Sequence, residues 1–296
     1  MTTMKPRIGW IGLGKMGVPI CRHIRQAGYE VTAYVRNEAG RASAAKLGVQ
    51  QADSLAGLAA TSDVIFSAIS DDAALDDIVS GATGLAAHMK AGQVLIETST
   101  VSPAASARAA AALDRCGAAY LRSPVSGSTA TAEARQLTVL VSGPKDTFVA
   151  AMPLFETFSK KQFHVGGGEQ ARYLKIAINA MVAATSALVA EALTLGRKGG
   201  LDAATMLDVI NNSAVASPLI GYKTKMLVSG DFTPAFSVTQ MMKDIDIALS
   251  VGRAEHCPLP LTSHIRQQYE AAYAGGNGEN DFFVLAREQA RLAGLE

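Results

Sequence analysis

The chain has 296 residues, 49% of them hydrophobic and 18% charged, with 27 Lys and Arg against 26 Asp and Glu. That balance suits a well-buried globular protein of about two domains, at roughly 100–200 residues each, and excludes a disordered chain. A net charge of +1 without a basic tract leaves no footprint for nucleic acid or an anionic membrane, and three cysteines without C-x-x-C spacing and five histidines without an H-E-x-x-H pattern exclude a disulfide framework and a metal site.

The opening stretch, Met1 to Arg7, lacks the hydrophobic segment of a secretion signal, so a soluble cytoplasmic protein is expected. The apolar run Ile8-Gly9-Trp10-Ile11 then leads into Gly12-Leu13-Gly14-Lys15-Met16-Gly17, a glycine-rich turn between a strand and a helix. Its first glycine permits a tight turn, its second admits a pyrophosphate, and its third lets helix and strand pack closely. Free N–H groups at the helix N-terminus, aided by the helix dipole, face the phosphates. These six residues are therefore candidate dinucleotide ligands.

Residues 31–35 form the second strand, followed by Arg36-Asn37 with no acid between Val31 and Asn37. An acid at this strand end accepts from the ribose hydroxyls and repels a 2′-phosphate, whereas an arginine accommodates it. Arg36 can pair with that phosphate and Asn37 can hydrogen-bond it, which favours NADP over NAD; the plainer alternative is a solvated arginine. Further strands are expected at 64–69, 94–97, 119–121, 137–142 and 162–165. Strands separated by helices imply β-α-β units and a mostly parallel sheet, a Rossmann-type nucleotide-binding domain over residues 1–165.

After Gly166-Gly167-Gly168 the pattern becomes helical, giving an all-helical domain over 166–296. Residues 169–196 read as one long helix of about 28 residues, about 42 Å at 1.5 Å per residue, that joins the domains. Its uncharged stretch, 176–190, falls short of the roughly 20 residues that cross a bilayer, so a core helix is expected and no membrane partner. Shorter helices are expected at 203–211, 222–227, 238–256, 261–274 and 281–292.

Lys175 and Asn179 stand four residues apart on the long helix, on one face. In these apolar surroundings, and beside a positive nicotinamide, the lysine pKa is expected to fall toward the proton-exchanging range. Lys175 can then donate to a carbonyl oxygen or accept an alcohol proton, with Asn179 orienting it or the substrate. The polar turn Ser123-Pro124-Val125-Ser126-Gly127-Ser128 offers hydroxyls and backbone N–H groups to a carboxylate. It is not a G-x-S-x-G elbow, which argues against a serine hydrolase.

Four segments in this order resemble the β-hydroxyacid dehydrogenases: the turn from Ile11 to Gly17, the loop from Ser123 to Gly127, Lys175-x-x-x-Asn179, and Lys243-Asp244-Ile245 followed by Ala248-Leu249. Smaller matches are Glu97-Thr-Ser-Thr100, Pro258 to Thr262, and Asp281. The resemblance implies that Thr100 and Lys243 contact the cofactor and that Ser126, Gly127, Lys175 and Asn179 form the acid site. It also implies a homodimer or homotetramer through the helical domain, and hydride transfer between NADP(H) and a 3-hydroxy acid or its semialdehyde. The chain departs from the family pattern at Arg122, usually aspartate, and at Ser128, Thr131 and Arg135, usually glycine. Gln136 and Asn211-Asn212-Ser213 depart as well. Ser128 is thus a candidate specificity residue or a cap for the following segment. Imine reductases share the architecture but usually replace the lysine, and non-catalytic scaffolds of the same lineage lose it; both are alternatives that Lys175 argues against.

Overall fold

The computed structural model describes residues 5–295; Met1 to Met4, part of the stretch read for a leader, lie outside them, as does Glu296. The chain divides into two compact units, Met1–Lys175 and Ile176–Glu296.

In the first unit nine strands form one sheet: β1 (Ile8–Ile11), β2 (Val31–Tyr34), β3 (Gln50–Ala52), β4 (Val64–Ser67), β5 (Val94–Glu97), β6 (Ala119–Arg122), β7 (Val125–Ser126), β8 (Leu137–Ser142) and β9 (Ser159–Gly166). The order is β3-β2-β1-β4-β5-β6-β8-β7, with β9 beside β8. The first six are parallel throughout, in the dinucleotide-binding order, and the order reverses between β1 and β4. Beyond β6 the sheet is mixed, because β8 runs antiparallel to β6 and β7 and parallel to β9.

Period-two alternation sorts the strand residues between two cores. Ile8, Trp10, Phe66, Ile96 and Leu121 pack into one, whereas Ile11, Ile65, Leu95 and Tyr120 pack into the other. Trp10 and Phe66 stack at 5.4 Å between centroids. Neither β3, whose Gln-Gln-Ala carries no β-branched or aromatic signal and pairs only along one side, nor β7, which is two residues long, is expected from the sequence.

The first unit's helices are α1 (Gly17–Gln26), α2 (Glu38–Leu47), α3 (Leu55–Thr61), α4 (Asp72–Ser80), α5 (Pro103–Asp114), α6 (Thr129–Glu133) and α7 (Lys145–Phe155). Asn37, Ser54, Asp71 and Ser102 begin α2 to α5 by accepting the backbone N–H of the third helical residue, which satisfies a donor the helix leaves unpaired.

Helix α8 (Gln170–Lys198) has 29 residues. It is long and apolar enough to cross a membrane by length and composition, yet its buried side chains include Ser186 and Thr194. Then follow α9 (Ala203–Asn211), α10 (Pro218–Ser229), α11 (Val238–Ala254), α12 (Pro260–Ala272) and α13 (Leu285–Leu292). α10 starts four residues ahead of the sequence reading because Ser217 caps it and Pro218 fits its first turn. The second unit has its own core, centred on Leu207, Val238, Tyr269 and Phe283. Asp281 belongs to that core's support: it accepts from Lys223 Nζ at 2.6 Å and from the backbone N–H groups of Phe283 and Ala235.

Candidate active site

Parallel strands send their carboxyl ends to one edge, and four of the sequence-predicted segments leave from that edge: Gly12–Gly17 after β1, Arg36-Asn37 after β2, Thr98–Thr100 after β5 and Ser123–Ser128 after β6. This is where open parallel sheets hold ligands.

The three glycines of the first turn do distinct work. Gly12 has φ +90°, and a Cβ there would sit 2.0 Å from the Ala68 carbonyl oxygen. A Cβ on Gly17 would meet the Gly12 oxygen, also at 2.0 Å, so α1 can approach β1 only over glycine. Around Gly14 a Cβ would meet nothing within 4 Å, which leaves the backbone open to a bound group. Trp10 Nε1 donates to the Gly12 carbonyl at 3.0 Å and braces the turn. Leu13 is buried, Met16 is partly buried, and Lys15 and Gly14 are exposed. No side chain caps α1 and no acid lies in its first turn. The turn therefore fits a pyrophosphate, held by backbone N–H groups and the helix dipole.

Arg36 and Asn37 are placed differently from each other. Asn37 Oδ1 accepts from Gly40 N at 2.8 Å, so this side chain starts α2 in addition to whatever it offers a ligand. Arg36 Nη1 pairs with Asp77 of α4 at 2.8 Å, with both side chains more than half exposed. Such a pair is weak and its guanidinium can be recruited by a stronger anion. The loop carrying Thr100 is pinned to the end of β4: Thr98 Oγ1 donates to Ser67 O and Ser99 Oγ accepts from Ile69 N, each at 2.7 Å.

In the Ser123 loop, Ser126 pairs with Thr138 in the β7–β8 ladder. Gly127 has φ +142°, and a Cβ there would lie 2.4 Å from Thr131 Oγ1 and 2.7 Å from Leu137 Cδ2. Only glycine fits this bend. Ser128 is the N-cap of α6, where its hydroxyl accepts from Thr131 N at 3.4 Å while Thr131 Oγ1 accepts from Ser128 N at 2.7 Å. Of the two readings open for Ser128, the structure shows the capping contact. Arg135 stands at φ +58°, a left-handed position that suits the glycine of the family pattern, and its Nε donates to His23 Nδ1. Arg122 is occupied as well: Nε and Nη2 donate to Glu169 Oε1 at 2.8 and 2.5 Å, and its guanidinium stacks over Tyr120.

Lys175 and Asn179 lie one turn apart on α8, 8% and 7% exposed. Asn179 Nδ2 donates to Asp244 Oδ2 at 2.5 Å, and Lys243 Nζ pairs with Asp244 Oδ1 at 2.9 Å. Asp244 is 2% exposed, so this acid is the link between Asn179 and Lys243, two residues the sequence singles out separately. Nothing in the sequence marks Asp244 for this part, although it stands beside Lys243. Nor does the sequence mark Arg172 and Glu97, which form a buried ion pair in the first unit. A lone arginine in a helix carries no signal of its partner. No cluster of metal-ligating side chains occurs among the described residues.

Comparison with known proteins bears on this arrangement. Residues 7–167 match the family described as the NAD binding domain of 6-phosphogluconate dehydrogenase. Residues 169–288 match the NAD-binding family of NADP-dependent 3-hydroxyisobutyrate dehydrogenase. The 2-(hydroxymethyl)glutarate dehydrogenase of Eubacterium barkeri is 32% identical over 290 residues, covering 98% of this chain and 96% of that one. The solved structure of Mycobacterium tuberculosis 3-hydroxyisobutyrate dehydrogenase with L-serine superposes with a TM-score of 0.87 at 26% identity, over 96% of this chain and 99% of that one. Psf3 in complex with NADP+ and 2-OPP superposes with a TM-score of 0.85, also at 26% identity, over 95% and 99%.

Proposed function

The chain belongs to the β-hydroxyacid dehydrogenase family of NAD(P)-dependent oxidoreductases, and on that premise we propose that it interconverts a 3-hydroxy acid and its semialdehyde with NADP(H). The observation that carries this reading is the burial of Lys175 one turn from Asn179 on α8, with Asn179 held by Asp244. A lysine with so little access to water serves as a proton donor and acceptor rather than as a solvated surface charge.

The nicotinamide, when bound, accepts or supplies the hydride at the carbinol carbon. The protein's residues handle the rest. In oxidation neutral Lys175 takes the hydroxyl proton as the carbonyl forms; in reduction the Lys175 ammonium returns it to the carbonyl oxygen. Asn179, with its amide oriented by Asp244, fixes the substrate or the lysine, and Lys243 supplies positive charge at the other oxygen of that acid. Ser126 and Gly127 hold the substrate carboxylate through hydroxyl and backbone N–H groups. The Gly12–Gly17 turn holds the pyrophosphate and Arg36 the 2′-phosphate. The match to 2-(hydroxymethyl)glutarate dehydrogenase supports a substrate whose hydroxyl lies β to a carboxylate. Lys175 favours this reading over an imine reductase or a non-catalytic scaffold.

A homodimer or homotetramer completes the proposal. Along α8, Met181, Leu188 and Leu195 are 71%, 65% and 76% exposed at seven-residue spacing. That spacing makes one apolar stripe suited to a second helix.

Lys175→Ala tests the chemistry. Loss of the proton donor is expected to cost ~10²–10⁴ in kcat while NADP affinity, measured by calorimetry, holds. Near-normal turnover in this variant would sink the assignment.

A further inference from the structure

Arg172 is fully buried, and it is among the most completely hydrogen-bonded side chains of the first unit. Nε donates to Ser106 Oγ at 3.1 Å and Nη1 to the Ser99 carbonyl at 2.8 Å. Nη2 donates to Glu97 Oε2 at 2.5 Å and to the Tyr120 hydroxyl at 3.0 Å. Neither Arg172 nor Glu97 exposes any of its side chain. Burial works against the Arg172 cation, but Glu97 and Tyr120 outweigh it and keep the guanidinium charged.

The partners are not arbitrary core groups. Glu97 ends β5, and Ser99 lies in the Thr98–Thr100 loop that follows. Tyr120 comes from β6 and Ser106 from α5. The arginine itself sits in the first turn of α8, three residues before Lys175. Positions three apart on a helix share a side and differ by about 4.5 Å of rise.

A second ion pair of opposite sense lies one turn earlier. Glu169, immediately before α8, accepts from Arg122 at the end of β6. An acid at the head of α8 thus meets a cation on the sheet, and a cation on α8 meets an acid on the sheet. Apolar side chains of similar volume would bury as well and often more stably. What the paired charges add is direction, because five fixed N–H donors accept only one rotation and one rise of the helix.

We propose that Arg172 is a positioning residue for catalysis: by clamping the first turn of α8 to Glu97, Ser99 and Tyr120, it sets where Lys175 stands relative to the Thr98–Thr100 loop. The proposal rests on Lys175 as the acid–base group. A misplacement of about 1 Å at such a group costs on the order of 10²-fold in rate.

The test compares Arg172→Met, Arg172→Lys and Tyr120→Phe with Lys175→Ala, in the full chain with NADP(H). For Arg172→Met, kcat is expected to fall about 10²-fold, with KM and calorimetric Kd for NADP(H) within about threefold of the parent. Arg172→Lys keeps a cation beside Glu97 and should recover part of that loss. Tyr120→Phe removes one acceptor, leaves the ion pair, and should lower kcat about two- to fivefold, so it decides the matter if Arg172→Met does not fold. Unchanged kcat in Arg172→Lys and Tyr120→Phe, with Lys175→Ala inactive, overturns the proposal alone. So does a parallel loss of kcat, cofactor affinity and melting temperature, which marks a merely structural role. Full turnover by Lys175→Ala overturns the acid–base reading and this proposal with it.

Discussion

Arg36 carries the proposed choice between two cofactors. Its partner Asp77 is exposed, and exposed ion pairs are worth only about 0.2–1 kcal/mol. On the proposed reading a dianionic 2′-phosphate would displace Asp77 at small cost, whereas the ribose hydroxyl of NAD would offer nothing in exchange. Arg36→Asp is expected to weaken NADP far more than NAD, since the new acid repels the phosphate and accepts from the hydroxyl. Asp77→Asn should do the reverse in miniature, tightening NADP by about two- to fivefold as the competitor is removed. Calorimetric Kd values for both cofactors check this pair. Equal loss of both in Arg36→Asp would return the arginine to the role of a solvated strand-end residue. Among the residues read from sequence, the glycines of the first turn were legible because their requirement is local: a turn, an approach and a packing contact within six positions. Asp244, Arg172 and Glu97 were not, because each acquires its meaning from a partner 65 or 75 residues away.

At the scale of the element, the Ser123–Ser128 loop and α6 form one piece. Gly127 makes the bend, Ser128 and Thr131 exchange hydrogen bonds across the helix start, and Arg135 closes the turn in a left-handed conformation. The side chains that replace family-pattern glycines thus brace one another: Thr131 fills the space that a Cβ on Gly127 would need. Capping and substrate contact make different forecasts for Ser128. As a cap, Ser128→Ala costs about 1 kcal/mol of stability and Ser128→Gly only a few tenths, because glycine is tolerated at that position. As a substrate contact, both variants lose the hydroxyl equally. The expected outcome is the first pattern, with the ranking of 3-hydroxy acids by kcat/KM unchanged in Ser128→Gly. A reordered ranking in both variants would restore Ser128 to the substrate pocket. Strand and helix identities were legible wherever periodicity was strong. β3 and β7 were not, being short segments whose pairing is imposed by neighbours.

For the whole molecule, each unit is held by its own apolar packing, two cores in the first and one in the second. Phe283 is fully buried in the core of the second unit, so Phe283→Ala is expected to cost about 3–5 kcal/mol, read from denaturant unfolding. Cys21 reports on the first unit. Burial raises the Cys21 thiol to about 12, whereas Cys257 is exposed. Alkylation near neutral pH should therefore modify Cys257 in the native protein and Cys21 only on unfolding. Rapid native labelling of Cys21 would contradict the packing of α1 against the sheet.

The sequence by itself determined the class of fold, the glycine-rich turn between β1 and α1, the one-turn spacing of Lys175 and Asn179 and the family, because those depend on residues close together in the chain and on periodicities of two and 3.6. Only the tertiary structure decided what holds those residues in place: Asp244 on Asn179, Arg172 on Glu97, Glu169 on Arg122, and Asp77 on Arg36. Each of these contacts joins charges or dipoles from elements distant in sequence. Directional interactions of that kind are chosen by how the elements pack, and a linear pattern of residue types does not encode their partners.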